Sequence, residues 1–148
     1  MNNGVIEILI DLAQLDIDAV EAYHQALERI DNKPIFDEIN KFKNDHVRHI
    51  EELSALITKF GGAPPEKSKD IKGYLIEGFT ALRSITGTEG ALNAMETNEK
   101  VTNAKYKEAI EKNLNYPAEI MEVLQRNYSD ERHHLSYIQD QLEKIEAE

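Results

Sequence analysis

Cysteine is absent from all 148 residues, which excludes disulfide staples, thiol catalysis and thiolate metal ligands, and is the pattern of a cytoplasmic protein. Basic residues are few: 17 Lys and Arg stand against 28 Asp and Glu, giving a formal net charge of -11. Recognition of nucleic acid or of an anionic membrane needs a concentrated basic surface, and these bases are scattered, so neither is an expected partner. Cations are. No apolar run reaches membrane-spanning length, and the opening "MNNGVIEILIDLAQLDID" lacks the basic region and cleavage site of a secretory signal. No strand alternation, low-complexity segment or sequence repeat is discernible.

Proline and glycine are also scarce, four and seven residues, and the segments between them carry apolar residues at helical spacing. The chain is long enough for one domain with a real core, spanning 1–148. A first helix is predicted over Gly4 to Ile30, with Val5, Leu9, Leu12, Leu15, Ala19, Tyr23 and Ala26 along one stripe. "DNKP" ends it and Pro34 suits the first turn of a second helix, whose inward residues run from Phe36 through Ile39, Phe42, Ile50 and Leu53 to Ile57 and which stops at Gly61 and Gly62. A longer connection follows, with a short amphipathic helix predicted over Tyr74 to Ile85 on Leu75, Phe79 and Leu82. "TGTE" then opens a third long helix carrying Leu92, Met95, Tyr106 and Ala109, and after "NLNYP" a fourth runs through Ile120, Leu124, Leu135, Ile138 and Leu142.

Loop lengths set the topology. Short links make helices one and two, and three and four, antiparallel hairpins, while the long link can cross the length of the bundle. The expected fold is all-α, a four-helix bundle of two hairpins joined by a crossover.

Polar residues on the apolar stripes carry the functional signal. In "YSDERHHLSY" two acids stand three places before two histidines, and projection at 100 degrees per residue puts Glu131 and His134 within about 40 degrees of the core centre, with Asp130 and His133 toward the edge. The Glu21 and His24 pair falls on the outer and lateral surface of helix one. Asp16, His46 and Glu99 lie on the core stripes of the other three helices, and counting residues from each hairpin turn places Asp16 level with His46, and Glu99 level with Glu131, so that they can meet mid-bundle. His49, about 50 degrees off centre, reads as a boundary histidine. Burying three carboxylates together demands compensating cations, as a divalent transition metal would provide.

At these residues the chain resembles the ferritin-like superfamily, in particular the bacterioferritin and rubrerythrin type, whose first and third helices each carry a Glu and whose second and fourth carry Glu-x-x-His, and its overall pattern, with "FGGAPPEK" after the second helix, looks closest to small bacterial ferritin-like bundles of unassigned function. The resemblance implies a di-iron or di-manganese centre, with Asp16, His46, Glu99, Glu131 and His134 as metal ligands and oxygen, peroxide or iron-handling chemistry at the metal. The departure is Lys43, which stands three places before His46 where those families have a bridging glutamate.

The competing reading is a metal-free network in which Lys43 and protonated His46 and His134 balance the carboxylates, in a non-catalytic bundle that acts through partners or self-association, for example in stress adaptation. A histidine phosphotransfer bundle is disfavoured, because "NDHVRHIEEL" and "ERHHLSY" lack the exposed histidine with adjacent small residues that it needs. Helix one carries a second apolar line, Ile10, Ile17 and Val20, which four helices alone leave uncovered, so a homodimer contact is expected there.

Overall fold

The computed structural model describes residues 3–66, 87–112 and 114–147. Four long helices form: α1 (Asn3–Leu27), α2 (Lys33–Lys59), α3 (Gly87–Lys112) and α4 (Ala118–Ala147). Among the described residues there is no strand. The short helix expected over Tyr74 to Ile85, with Leu75, Phe79 and Leu82, lies outside the described residues.

The helix boundaries follow from local chemistry. Asn32 caps α2 by accepting a 3.1 Å hydrogen bond from the Ile35 amide, and Pro34 sits in the first turn, where its missing N–H costs nothing. At the other end of α2, Gly61 adopts φ +92°. The Gly61 amide then reaches Thr58 O at 3.1 Å and the Gly62 amide reaches Ile57 O at 2.8 Å, satisfying two of the last carbonyls of the helix.

α1 pairs with α2 and α3 with α4, and the helices pack in the ring order α1, α2, α4, α3. Neighbours are antiparallel. Asp16 meets Tyr106 while Tyr23 meets Glu99, and His49 meets Asp130 while Asp45 meets His134. Thr88, in the first turn of α3, hydrogen-bonds Asp31 in the α1–α2 turn. A Cβ at Gly62 would lie 2.7 Å from Cγ2 of Ile6, near the start of α1. α2 therefore ends, and α3 begins, at opposite ends of the bundle, about 40 Å apart for a helix of 27 residues. The expected crossover topology is required by that placement.

Two apolar clusters fill the bundle, one at each end. Leu9, Leu12, Leu53, Ile57, Ile120 and Leu124 pack in the first, and Ala26, Ile39, Phe42, Leu92, Met95 and Ile138 in the second. Each fully buried aliphatic side chain contributes roughly 1.5–3 kcal/mol, so the clusters clamp whatever lies between them. Phe36 and Leu135, expected inside, are only partly buried. The second apolar line of α1 also differs from expectation. Ile17 is 4% exposed, and Ile10 and Val20 are partly covered, so the chain itself shields most of that line and the ground for a dimer contact there is weakened.

Because nothing crowds a Cβ at Gly61, the cost of Gly61→Ala is that of the left-handed backbone alone, about 1–2 kcal/mol. Denaturant unfolding of the variant measures it, and an unchanged midpoint would contradict this account of how α2 ends.

Candidate metal centre

Between the two apolar clusters lies a layer of ionisable side chains with almost no exposure: Asp16 from α1, His46 and His49 from α2, Glu99 from α3, and Glu131 and His134 from α4, each at most 1% exposed. All five residues predicted from the sequence converge here, and a sixth, His49, joins them. Glu21 and His24 stay outside, with His24 instead within 3.7 Å of Glu28 at the surface. His133 is exposed.

The contacts form a closed network. His46 stands at its centre, with Nδ1 2.6 Å from Asp16 Oδ1 and Nε2 3.1 Å from Glu99 Oε1. His49 Nδ1 is 3.1 Å from Asp16 Oδ1 and 3.3 Å from Glu131 Oε1. His134 Nδ1 is 3.3 Å from Glu99 Oε1 and 3.8 Å from Glu131 Oε2. The outer nitrogens of these last two rings are held by carboxylates at the seam between α2 and α4: Asp130 at 2.9 Å from His49 Nε2, and Asp45 at 2.8 Å from His134 Nε2. Such outer carboxylates fix the ring and its tautomer and raise its basicity as a ligand. Arg48 lies over the seam and pairs with both Asp45 and Asp130.

Two tyrosines complete the layer. The Tyr23 hydroxyl donates to Glu99 Oε1, and the Tyr106 hydroxyl donates to Asp16 Oδ2 at 2.6 Å, so each hairpin's tyrosine binds the other hairpin's carboxylate. Thr102 donates to Glu131 Oε2 at 2.8 Å, and Phe42 stacks on the His134 ring with centroids 4.3 Å apart. Burial, reinforced by the adjacent carboxylates, pushes both tyrosine hydroxyls well above their ordinary range.

Lys43 takes no part. It is half-buried and, among the described residues, makes no ion pair, so it does not balance the carboxylates as the metal-free reading expects. The alignment of the second helix shifts by three residues as a result. Asp45-His46-x-x-His49 on α2 is the counterpart of Asp130-Glu131-x-x-His134 on α4, with His46 standing where α4 has its glutamate. Asp16 and Glu99 correspond likewise, each followed seven residues later by its tyrosine.

The hairpins thus repeat each other, and the sequence carries the signal. "ALERIDNKP" at 26–34 matches "AIEKNLNYP" at 109–117, an interval of 83 residues that Asp16 and Glu99 also keep, whereas the α2 and α4 motifs stand 85 apart. The two additional residues interrupt the repeat and hide it. Recognising it would have identified His49.

Electrostatically, the metal-free cluster is held together by protons. Burial drives the histidines toward neutrality, but Glu131 and hydrogen bonds to Asp16 and Glu99 overcome it and raise His46 to about 9. Burial also opposes charge on His49 and His134, and their carboxylate neighbours, led by Asp16 and Glu99 respectively, push them to about 11 and about 12. Burial raises Asp16, yet the charge of His49 and hydrogen bonds from His46 and His49 outweigh it and hold the carboxyl at about 2. Three protonated imidazoles then offset three carboxylates.

Among the six ionisable residues of the layer, one buried atom is left over. Glu131 Oε1 accepts no hydrogen bond of good geometry, although His49 Nδ1 and His46 Nδ1 lie 3.3 and 3.5 Å away, and a metal ion would serve this buried oxygen more directly. Two groups of donors surround it, Asp16, His46, His49 and Glu131, and His46, Glu99, Glu131 and His134, each with its ligand atoms within 4.8 Å of one another. These are oxygen and imidazole donors of the kind that hold divalent transition metals, so the residues present fit such an ion.

Residues 4–112 match a protein family described as a domain of unknown function, DUF2383. No curated protein matches the chain.

The metal-free protein should be most stable between about pH 4.5 and 6.5. The three histidines bind protons more tightly in the folded state, so their contribution is complete below their ordinary value of 6.5 and is lost as pH rises through about 9 and beyond. Asp16 has the opposite sign: its contribution is present above its ordinary 3.8 and is lost as pH falls toward about 2. Melting temperatures in chelator from pH 3 to 10 test this, and a rise between pH 6.5 and 9 would contradict it.

Proposed function

The chain belongs to the DUF2383 family, and from its buried donor cluster we propose that it is a ferritin-like metalloprotein whose centre binds two divalent transition-metal ions, iron or manganese, for oxygen, peroxide or iron-handling chemistry. One observation carries the proposal: two four-residue donor groups share His46 and Glu131 at the middle of the bundle. Two ions with two common ligands is the economical way to satisfy such a set. The antiparallel hairpins and the carboxylate and Glu-x-x-His positions on their helices support the ferritin-like relationship.

Within this reading each residue has a task. Asp16 and Glu99 are terminal carboxylates on opposite hairpins, His49 and His134 are terminal imidazoles, and Glu131 serves both subsites. Asp45 and Asp130 orient the terminal imidazoles. Tyr23 and Tyr106 neutralise part of the carboxylate charge by hydrogen bonding and hold the ligand oxygens in place. The apolar clusters on either side exclude water along the bundle axis, so the seam beneath Arg48, with Asp45 and Asp130 about a quarter exposed (28% and 27%), is the side from which ions reach the centre. Iron or manganese, when bound, supplies one-electron redox chemistry at this dry and shaped position.

The charge equality of three carboxylates and three raised histidines favours one other reading, a metal-free ionic network in a bundle that acts through protein partners. Metal analysis of protein purified without chelator separates the two.

In titrations with manganese(II), His49→Ala and Glu131→Ala should weaken binding by more than about 100-fold, Asp45→Asn by ~10–100-fold, and Lys43→Ala should leave it unchanged. Equal losses in Lys43→Ala and His49→Ala would contradict the alignment of α2.

A further inference from the structure

We propose that His46 bridges the two metal ions as an imidazolate, one ring nitrogen to each, an inference that rests on the dinuclear reading above. The three histidines of the cluster are not equivalent. His49 and His134 each commit Nε2 outward, to Asp130 at 2.9 Å and Asp45 at 2.8 Å, and turn only Nδ1 inward. Each can therefore serve one ion. His46 commits neither nitrogen outward: Nδ1 faces Asp16 of α1 at 2.6 Å and Nε2 faces Glu99 of α3 at 3.1 Å. Those two carboxylates belong to different donor groups, and His46 belongs to both groups.

Chemistry and the internal repeat point the same way. His46 occupies on α2 the position that Glu131 occupies on α4. A carboxylate presents two donors through one carbon, O–C–O, and an imidazolate presents two through N–C–N with diverging lone pairs, so the substitution keeps a two-ended ligand at this place while setting the ions further apart. Glu131 is likewise two-ended, with Oε1 toward His49 at 3.3 Å and Oε2 toward His134 at 3.8 Å. The bridges then stand on opposite hairpins. In formal charge, three carboxylates and one imidazolate balance two divalent ions. Forming the bridge makes two metal–nitrogen bonds and releases both ring protons of His46 to solvent, with no electron transferred.

Copper(II) is a direct probe, because it favours imidazole ligands and its unpaired electron reports a bridge. Titration of the metal-free protein followed by electron paramagnetic resonance should give two copper ions per chain whose signals are magnetically coupled, with integrated low-temperature intensity well below that of two independent spins. His46→Glu should still bind two ions with altered coupling, and circular dichroism will confirm its fold. Two uncoupled ions in the wild type, or coupling identical in His46→Glu, would overturn the bridge and leave the dinuclear reading standing. Binding of no copper, zinc or manganese at the cluster would overturn both.

Discussion

Three carboxylates buried within a few ångströms of each other cannot all remain ionised without cations, and that constraint organises the middle of this bundle. Each of the four helices gives up apolar positions to the polar layer, at Asp16, His46, His49, Glu99, Glu131 and His134, where burial removes the charges from bulk solvent. The apolar clusters above and below make the layer tolerable by fixing the helices at a spacing that brings imidazoles between carboxylates. Protons or metal ions can supply the positive charge. The same ring nitrogens receive either, so metal loading and protonation compete for one set of atoms.

The second organising feature is the repetition of the hairpins. Each provides a carboxylate and a tyrosine on its first helix and an Asp-(His or Glu)-x-x-His motif on its second, and each tyrosine and outer aspartate hydrogen-bonds a buried carboxylate or histidine of the other hairpin. Assembly of the site thus requires docking of the two halves. The repeat is broken at one chemically decisive place, where His46 faces Glu131. That exchange leaves three carboxylates and three histidines in the layer, a set with less negative charge and more nitrogen than a glutamate at position 46 would give.

Much of this was legible in the sequence because helical periodicity is a strong signal over segments of 25 residues or more. The stripes from Leu9 to Ala26 and from Ile39 to Ile57 predict the buried faces, and projection onto those faces selects Glu131 and His134 over Asp130 and His133. His49 was misjudged because an angle of about 50 degrees lies at the margin of what ideal projection can resolve, while a long imidazole can still turn inward. Lys43 stands outside the layer for a related reason: it lies three places before His46, but the spacing that matches the other hairpin falls one turn further along, at His46 and His49. Asp45 and Asp130 act across the seam between α2 and α4, and a contact between helices leaves no mark in the periodicity of either one. Coverage of Ile17 depends on tertiary packing and is equally invisible in one helix's pattern.

The central claim is that this layer is a dinuclear metal centre built on His46 and Glu131. Anomalous-scattering crystallography of manganese-loaded protein tests it most directly. The account predicts two anomalous peaks within the layer, one among Asp16, His49 and Glu131 and the other among Glu99, His134 and Glu131, with His46 between them. A layer without anomalous density after loading, with Glu131 instead hydrogen-bonded to protonated histidines, would contradict it.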